Sequence, residues 1–213
     1  MMEKELKVGN ATIDFVRHAS VRLKLDGKII YIDPWQLPGN PGKADIILVT
    51  HEHFDHFSPD AIAKISMPST EIITSKRCSS RFKGGHIKVL AEKEMLNVQG
   101  ISISGAAAYN IGKKFHPRGL CIAFIIDCGN NARLYHAADT DFIPEMKELP
   151  GIDVAMLPIG GTYTMDIDEA VQAAQAIHPK KVVPIHYNVL DDTIADIGEF
   201  RKKCPVETSI FYE

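Results

Sequence analysis

The chain has 213 residues, 45% of them hydrophobic, enough to bury a substantial core and, at the usual domain size, most simply one domain spanning residues 1–213. A formal net charge of -3 supplies no broad basic field, which argues against a nucleic-acid binder. No apolar run approaches the length of a membrane span, and the opening Met-Met-Glu-Lys-Glu-Leu-Lys lacks the apolar stretch of a secretory leader, so a soluble, cytoplasmic protein with no membrane partner is expected.

The first half reads as strands separated by strong turns. Residues 21–25 alternate, Asp26-Gly27 offers the positive-φ chemistry of a type I′ hairpin, and residues 28–32 return toward Asp33-Pro34-Trp35. The apolar run 45–49 predicts a short buried strand. Ser58-Pro59-Asp60 then supplies an N-cap, a proline at the first helical position and an acid in the first turn, predicting a helix through Ile65. Further strands are predicted at 71–74, 86–90 and 101–107, and a hairpin joins 120–127 to 132–136 across Gly129-Asn130-Asn131. After a strand at 153–157, Asp166 and Glu169 form a capping-box pattern ahead of Ile167, Ala170, Val171, Ala174 and Ile177 at helical spacing. A strand at 182–185, a helix at 192–203 and a strand at 207–212 complete the chain. No repeat with a recognisable period is present, and periodicity alone gives a mixed α+β protein. Cys78, Cys121, Cys128 and Cys204 are scattered without a C-x-x-C pair, so no disulfide is predicted.

The chemistry is concentrated in Thr-His-Glu-His-Phe-Asp-His-Phe, residues 50–57, directly after the 45–49 strand. Nitrogen donors together with a carboxylate at a strand end indicate a transition-metal site. In extended chain His51, His53 and Asp55 share one face, and a turn re-aims His56 beside Asp55, giving two ligand pairs for two neighbouring ions.

This segment resembles the H-x-H-x-D-H signature of the metallo-β-lactamase superfamily, and later segments are similar to its small prokaryotic metal-dependent hydrolase branch, which includes ascorbate-6-phosphate lactonase-like proteins. The resemblance implies a four-layer αββα sandwich with metals at one edge. It also implies that Asp139, in His136-Ala-Ala-Asp-Thr140, bridges two metals, with Ala138 where the family usually has glycine, and that His186 in Pro184-Ile-His-Tyr-Asn188 is a ligand. The pattern fails after the 101–107 strand, where the family usually supplies another histidine. Either His116 reaches back from its loop, or Asn110 or water fills that place. His18 reads as a local turn-shaping residue, and Asp33 as a carboxylate for the second N–H of a metal-bound imidazole. His136 reads as structural, and His86 and His178 as ordinary.

The implied cofactors are two divalent metal ions, zinc first, with manganese or iron as alternatives. His51, His53 and His116 would hold one and Asp55, His56 and His186 the other, with Asp139 between them and Asp55 also handling the proton. Such ions lower the pKa of a shared water, which predicts hydrolysis. Lys113, Lys114 and Arg118 around His116 raise the prospect of an anionic small-molecule substrate, a phosphorylated ester, lactone or phosphodiester. A single domain of this length is not expected to hold the RNA-gripping arm of a superfamily nuclease or the flavin domain of a diiron reductase. A non-catalytic, metal-stabilised scaffold is the alternative from another class, and the oligomeric state is left open, a homo-oligomer included.

Overall fold

Short apolar runs that alternate between two buried faces require sheets covered on both sides, and the computed structural model, which describes residues 5–212, has that form. The first four residues of the amino-terminal segment read above lie outside the described part. The first sheet contains β1 (Leu6–Val8), β2 (Ala11–Arg17), β3 (Ser20–Leu25), β4 (Lys28–Ile32), β5 (Ile46–Val49), β6 (Glu71–Thr74) and β7 (His86–Val89), in that spatial order. The second contains β8 (Met95–Val98), β9 (Ile101–Ala106), β10 (Ala123–Asp127), β11 (Arg133–His136), β12 (Val154–Pro158), β13 (Lys181–Ile185) and β14 (Glu207–Thr208), again in chain order.

Each sheet begins with antiparallel pairs, through β4 in the first and β11 in the second, and continues with parallel ones. The two halves therefore repeat one topology, although no repeat is visible in the sequence. Pairing and burial constrain only whether a residue is apolar, so different residues serve equally well in the two halves.

The period of two decides which face each residue serves. Ile30, Ile32, Ile46 and Leu48 of the first sheet join Phe124, Ile126, Met156 and Val183 of the second in one core between the sheets. Their neighbours Tyr31, Ile47 and Val49 face outward beneath α1 (Pro59–Ile65) and α2 (Lys76–Ser79), which contribute Ile62, Ile65 and Cys78. On the other side Tyr135, Ala155, Leu157 and Val182 lie beneath α3 (Ile167–Ile177), α4 (Ile197–Lys203) and a 3-10 turn at Pro144–Glu148. The result is a four-layer αββα sandwich, in which each fully buried Ile, Leu or Phe contributes about 1.5–3 kcal/mol. Among the described residues no helix is long and apolar enough to cross a membrane, and Cys78, Cys121, Cys128 and Cys204 are free and buried.

The last helix is shorter than the sequence predicts. Thr193 instead folds back on Leu190 O through its N–H (2.9 Å) and hydroxyl (2.7 Å), Asn188 brackets Ala195, and Asp196 caps the helix from Gly198 N and Glu199 N. The final strand is also reduced, to Glu207–Thr208, because Phe211 and Tyr212 leave the sheet to stack on Phe15. The capping box of α3 is present as predicted: Asp166 Oδ1 accepts from Glu169 N at 2.8 Å, and Glu169 Oε2 accepts from Asp166 N at 3.1 Å. Asp166→Ala is expected to cost about 0.5–2 kcal/mol, read as a fall in Tm of about 2–4 °C per kcal/mol at this chain size.

Candidate metal centre

The chemistry-bearing side chains leave the sandwich at the exits of strands from both sheets. Several of these exits turn through positive φ at residues other than glycine: His18 (57°) between β2 and β3, Asp33 (46°) after β4, Ala138 (60°) after β11 and His186 (55°) after β13. Each such conformation costs roughly 1–2 kcal/mol for an L-residue, so packing around them holds these turns in place and aims the side chains. Ala138 carries its Cβ at the step where glycine is usual.

Segment 51–57 is a chain of turns and not the extended strand from which its ligand pairing was argued: His56 N and Phe57 N both donate to His53 O, at 3.0 and 2.7 Å. The pairing itself stands. His51 and His53 join His116 and Asp139 in one group, and Asp55 and His56 join His18 and His186 in another, with the candidate donor atoms of each group within 4.8 Å of one another. Asp139 touches both groups. Its Oδ2 lies 3.2 Å from His116 Nε2, 3.8 Å from His51 Nε2 and 3.1 Å from His186 Nε2, and its Oδ1 lies 3.2 Å from His56 Nε2. Asp55 Oδ2 is 3.2 Å from His18 Nε2 and 3.4 Å from both His56 Nε2 and His186 Nε2.

The surrounding hydrogen bonds fix which ring nitrogens face inward. Thr50 Oγ1 donates to Asp33 Oδ2 at 2.7 Å and therefore accepts from His51 Nδ1 at 2.9 Å. His56 Nδ1 donates to the same Asp33 oxygen at 2.7 Å, while Asp33 Oδ1 accepts Thr50 N at 2.7 Å. His116 Nδ1 donates toward Asn110 Oδ1 and Tyr163 O, each at 3.1 Å. The Nε2 atoms of His51, His56 and His116 are thus the inward ones. His51 Nε2, His56 Nε2 and Asp139 Oδ1 are buried without a hydrogen-bond partner among the described residues.

Such orphaned donors are costly unless a cation satisfies them. The separations of 3.1 to 3.4 Å that dominate the two groups match the edge of a tetrahedron around an ion with bonds near 2.1 Å, about 3.4 Å. Electrostatics agrees. Burial opposes charge on Asp139, but His186 and His56 outweigh it and hold the carboxyl well below its usual range. Burial likewise opposes a charged His56, yet Asp139, Asp55 and Asp33 raise its pKa well above the ordinary value, and Asp139 raises His186 to about 9 against the same penalty. Burial and then His186 push His18 down to about 4. Two carboxylates thus draw positive charge into a buried site, and the residues fit divalent metal.

Comparison with known proteins agrees with the fold and the donor set. Residues 12–186 match the family model described as Beta-lactamase superfamily domain. The chain belongs to the metallo-β-lactamase superfamily. Within the superfamily it is 34% identical to a metal-dependent hydrolase of Staphylothermus marinus, over 90% of either chain, and 33% identical to one of Natranaerobius thermophilus, over 92% of either. A crystal structure from Parabacteroides distasonis, of a protein also named for metal-dependent hydrolysis, superimposes with a TM-score of 0.86 at 35% identity, covering 94% of this chain and 92% of the other. Igni18, a metallo hydrolase of Ignicoccus hospitalis, gives 0.79 at 25% identity, covering 94% of each. The protein is a metal-dependent hydrolase by family.

All seven ligand candidates read from the sequence, His51, His53, Asp55, His56, His116, Asp139 and His186, meet at this superfamily site. His116 stands with His51, His53 and Asp139, and Asn110 holds it there: Asn110 Oδ1 accepts His116 N at 2.9 Å, and its amide donates to Asp141 Oδ1 and Tyr163 O, each at 2.9 Å. His18 is a difference from the sequence reading, because its ring joins the second group and is not confined to a turn. The signal was its position between two strands, and β2 went unread. His136 donates to Ala19 O at 2.9 Å, and His178 ends α3, away from both groups. Asp33→Asn removes a charged acceptor shared by Thr50 and His56 and is expected to weaken metal binding about 10–100-fold, measured by competition with a chromophoric chelator.

Proposed function

We propose that the protein is a cytoplasmic, binuclear metal-dependent hydrolase that cleaves a small ester or lactone. Asp139, standing within 3.8 Å of inward imidazole nitrogens from both groups, carries this reading. His51, His53 and His116 would hold one ion, and His18, Asp55, His56 and His186 the other, with Asp139 between them. Nitrogen-rich sets of this kind suit zinc first, with manganese or iron as alternatives. Bound divalent ions would supply Lewis acidity and lower the pKa of a coordinated water toward neutrality.

The chain's own residues supply the rest. Asp33 and Asn110 fix the orientation of His56 and His116, so the donor geometry is set before substrate arrives. Asp55 lines the open cavity and is held ionised, because His56 and His18 outweigh the penalty of its burial. Its carboxylate would take a proton from the attacking water and return it to the leaving oxygen. Loop 108–118, pinned through Asn110, forms one side of the site through Phe115 and His116.

Elemental analysis of protein re-equilibrated with zinc, manganese or iron tests the reading together with turnover of an ester and lactone panel. About two equivalents of metal and hydrolysis abolished by chelation are expected. One equivalent or none, or turnover indifferent to chelation, would defeat it.

A further inference from the structure

The cavity in front of the metal centre encloses about 620 Å3, and its walls differ in chemistry from its buried end. Asp139, 2% exposed, reaches the cavity and carries an Oδ1 without a partner, so a ligand entering there meets the candidate metal ligands directly. The walls are Phe54, Phe115, Tyr163, Leu190, Asp191 and Asp192. Phe54 is 65% exposed and Phe115 44%, although rings of this size gain from burial. Each is braced edge-on, Phe54 against Trp35 at 6.1 Å and Phe115 against Tyr163 at 4.7 Å. Braced aromatic rings left open on one cavity mark a surface for an apolar group.

Apart from the histidines of the candidate metal centre, the charged side chains lining the cavity are carboxylates. Among the described residues no Lys or Arg lines it. Lys113 is turned away to Asp141 Oδ1 (2.8 Å) and Thr164 O (2.7 Å), and Arg118 to Glu92 and Glu145, each at 2.6 Å, where it lies over the Tyr109 ring. Lys114 does not reach the wall either. The ground for expecting an anionic substrate is thereby removed. Glu52, at the same opening, is met by Arg77 at 3.0 Å, whereas Asp192 receives the Tyr163 hydroxyl at 2.9 Å and Asp191 stands beside it on the wall.

Building on the binuclear reading, we infer that the substrate is an apolar ester or lactone bearing a basic amine. Its ring or branched alkyl group rests on Phe54, Phe115 and Tyr163, its ammonium faces Asp191 and Asp192, and its acyl carbon points to Asp139. A carboxylate or phosphate in the ammonium's place would meet two carboxylates of its own sign.

Benzohydroxamates, which chelate metal and carry no ester bond to cleave, separate recognition from catalysis. Compounds bearing a para aminomethyl, methyl or carboxyl group would be titrated calorimetrically into zinc-loaded protein at low salt. The aminomethyl compound is expected to bind at least about tenfold more tightly than the carboxyl one. In Asp191→Asn/Asp192→Asn, where the amide can still receive the Tyr163 hydroxyl, that ratio is expected to fall below about threefold with zinc content maintained. Phe115→Ala is expected to weaken the benzohydroxamates relative to acetohydroxamate. Equal affinities, a preference for the carboxyl compound, discrimination that survives the double substitution, or no hydroxamate binding by the zinc-loaded protein would each overturn the inference. None of these would touch the metal stoichiometry, so a failure of the binuclear reading would be seen separately.

Discussion

Asp139→Asn lowers kcat/KM by more than the roughly 100-fold that loss of an outer hydrogen-bond partner costs a metal site, and reduces bound metal from about two equivalents to one. The reason is its position. Among the described residues Asp139 is the carboxylate within 3.8 Å of imidazole nitrogens from both ligand groups: Oδ2 faces His51, His116 and His186, and Oδ1 faces His56. Asparagine preserves shape but removes the negative charge that raises the pKa of His56 and His186 and would attract a cation. Elemental analysis and steady-state kinetics on the same preparation check this, and a variant retaining both metal equivalents and wild-type turnover would refute the bridging position.

Asp55→Asn is expected to reduce kcat by about 10²–10⁴-fold with a much smaller change in KM. An amide oxygen can still donate to metal, but it does not take up a proton, so the variant separates the two proposed roles of Asp55. The measurement is made at saturating metal with the metal content determined. Loss of kcat with metal retained supports proton handling by Asp55, loss of both reduces Asp55 to a ligand, and wild-type turnover with full metal would show that the proton travels elsewhere.

The motif at residues 51–56 was legible because metal coordination limits the usable side chains so strongly. Its local geometry was not, since whether His51, Glu52 and His53 run extended or turn depends on where His53 O finds donors, here His56 N and Phe57 N. β5, α1 and β6 could be read because a continuous apolar run, an N-cap with proline behind it and Gly or Asp turns each act locally. The approach of His18 to Asp55 spans 37 positions of sequence, so its place in the second group, beyond the turn-shaping role its neighbours suggest, depends on the fold. The role of Asn110 was equally hidden. That it holds His116 and does not replace it depends on Asp141 and Tyr163, which only the fold brings near. The duplicated topology left no trace because each half fills its core with different apolar residues.

The candidate ligands come from strand exits on both sheets, His51 after β5 and Asp139 and His186 after β11 and β13, while the sheets themselves meet mainly through apolar side chains. Metal in that position is a cross-link that closes long loops of chain, and a separation of the two halves must break it first. The protein's lifetime in the folded state should therefore depend on metal more steeply than its shape does. Chelation would leave the sandwich standing at first and hasten its unfolding, and resistance to proteolysis over hours would report bound metal before any change in secondary structure became visible.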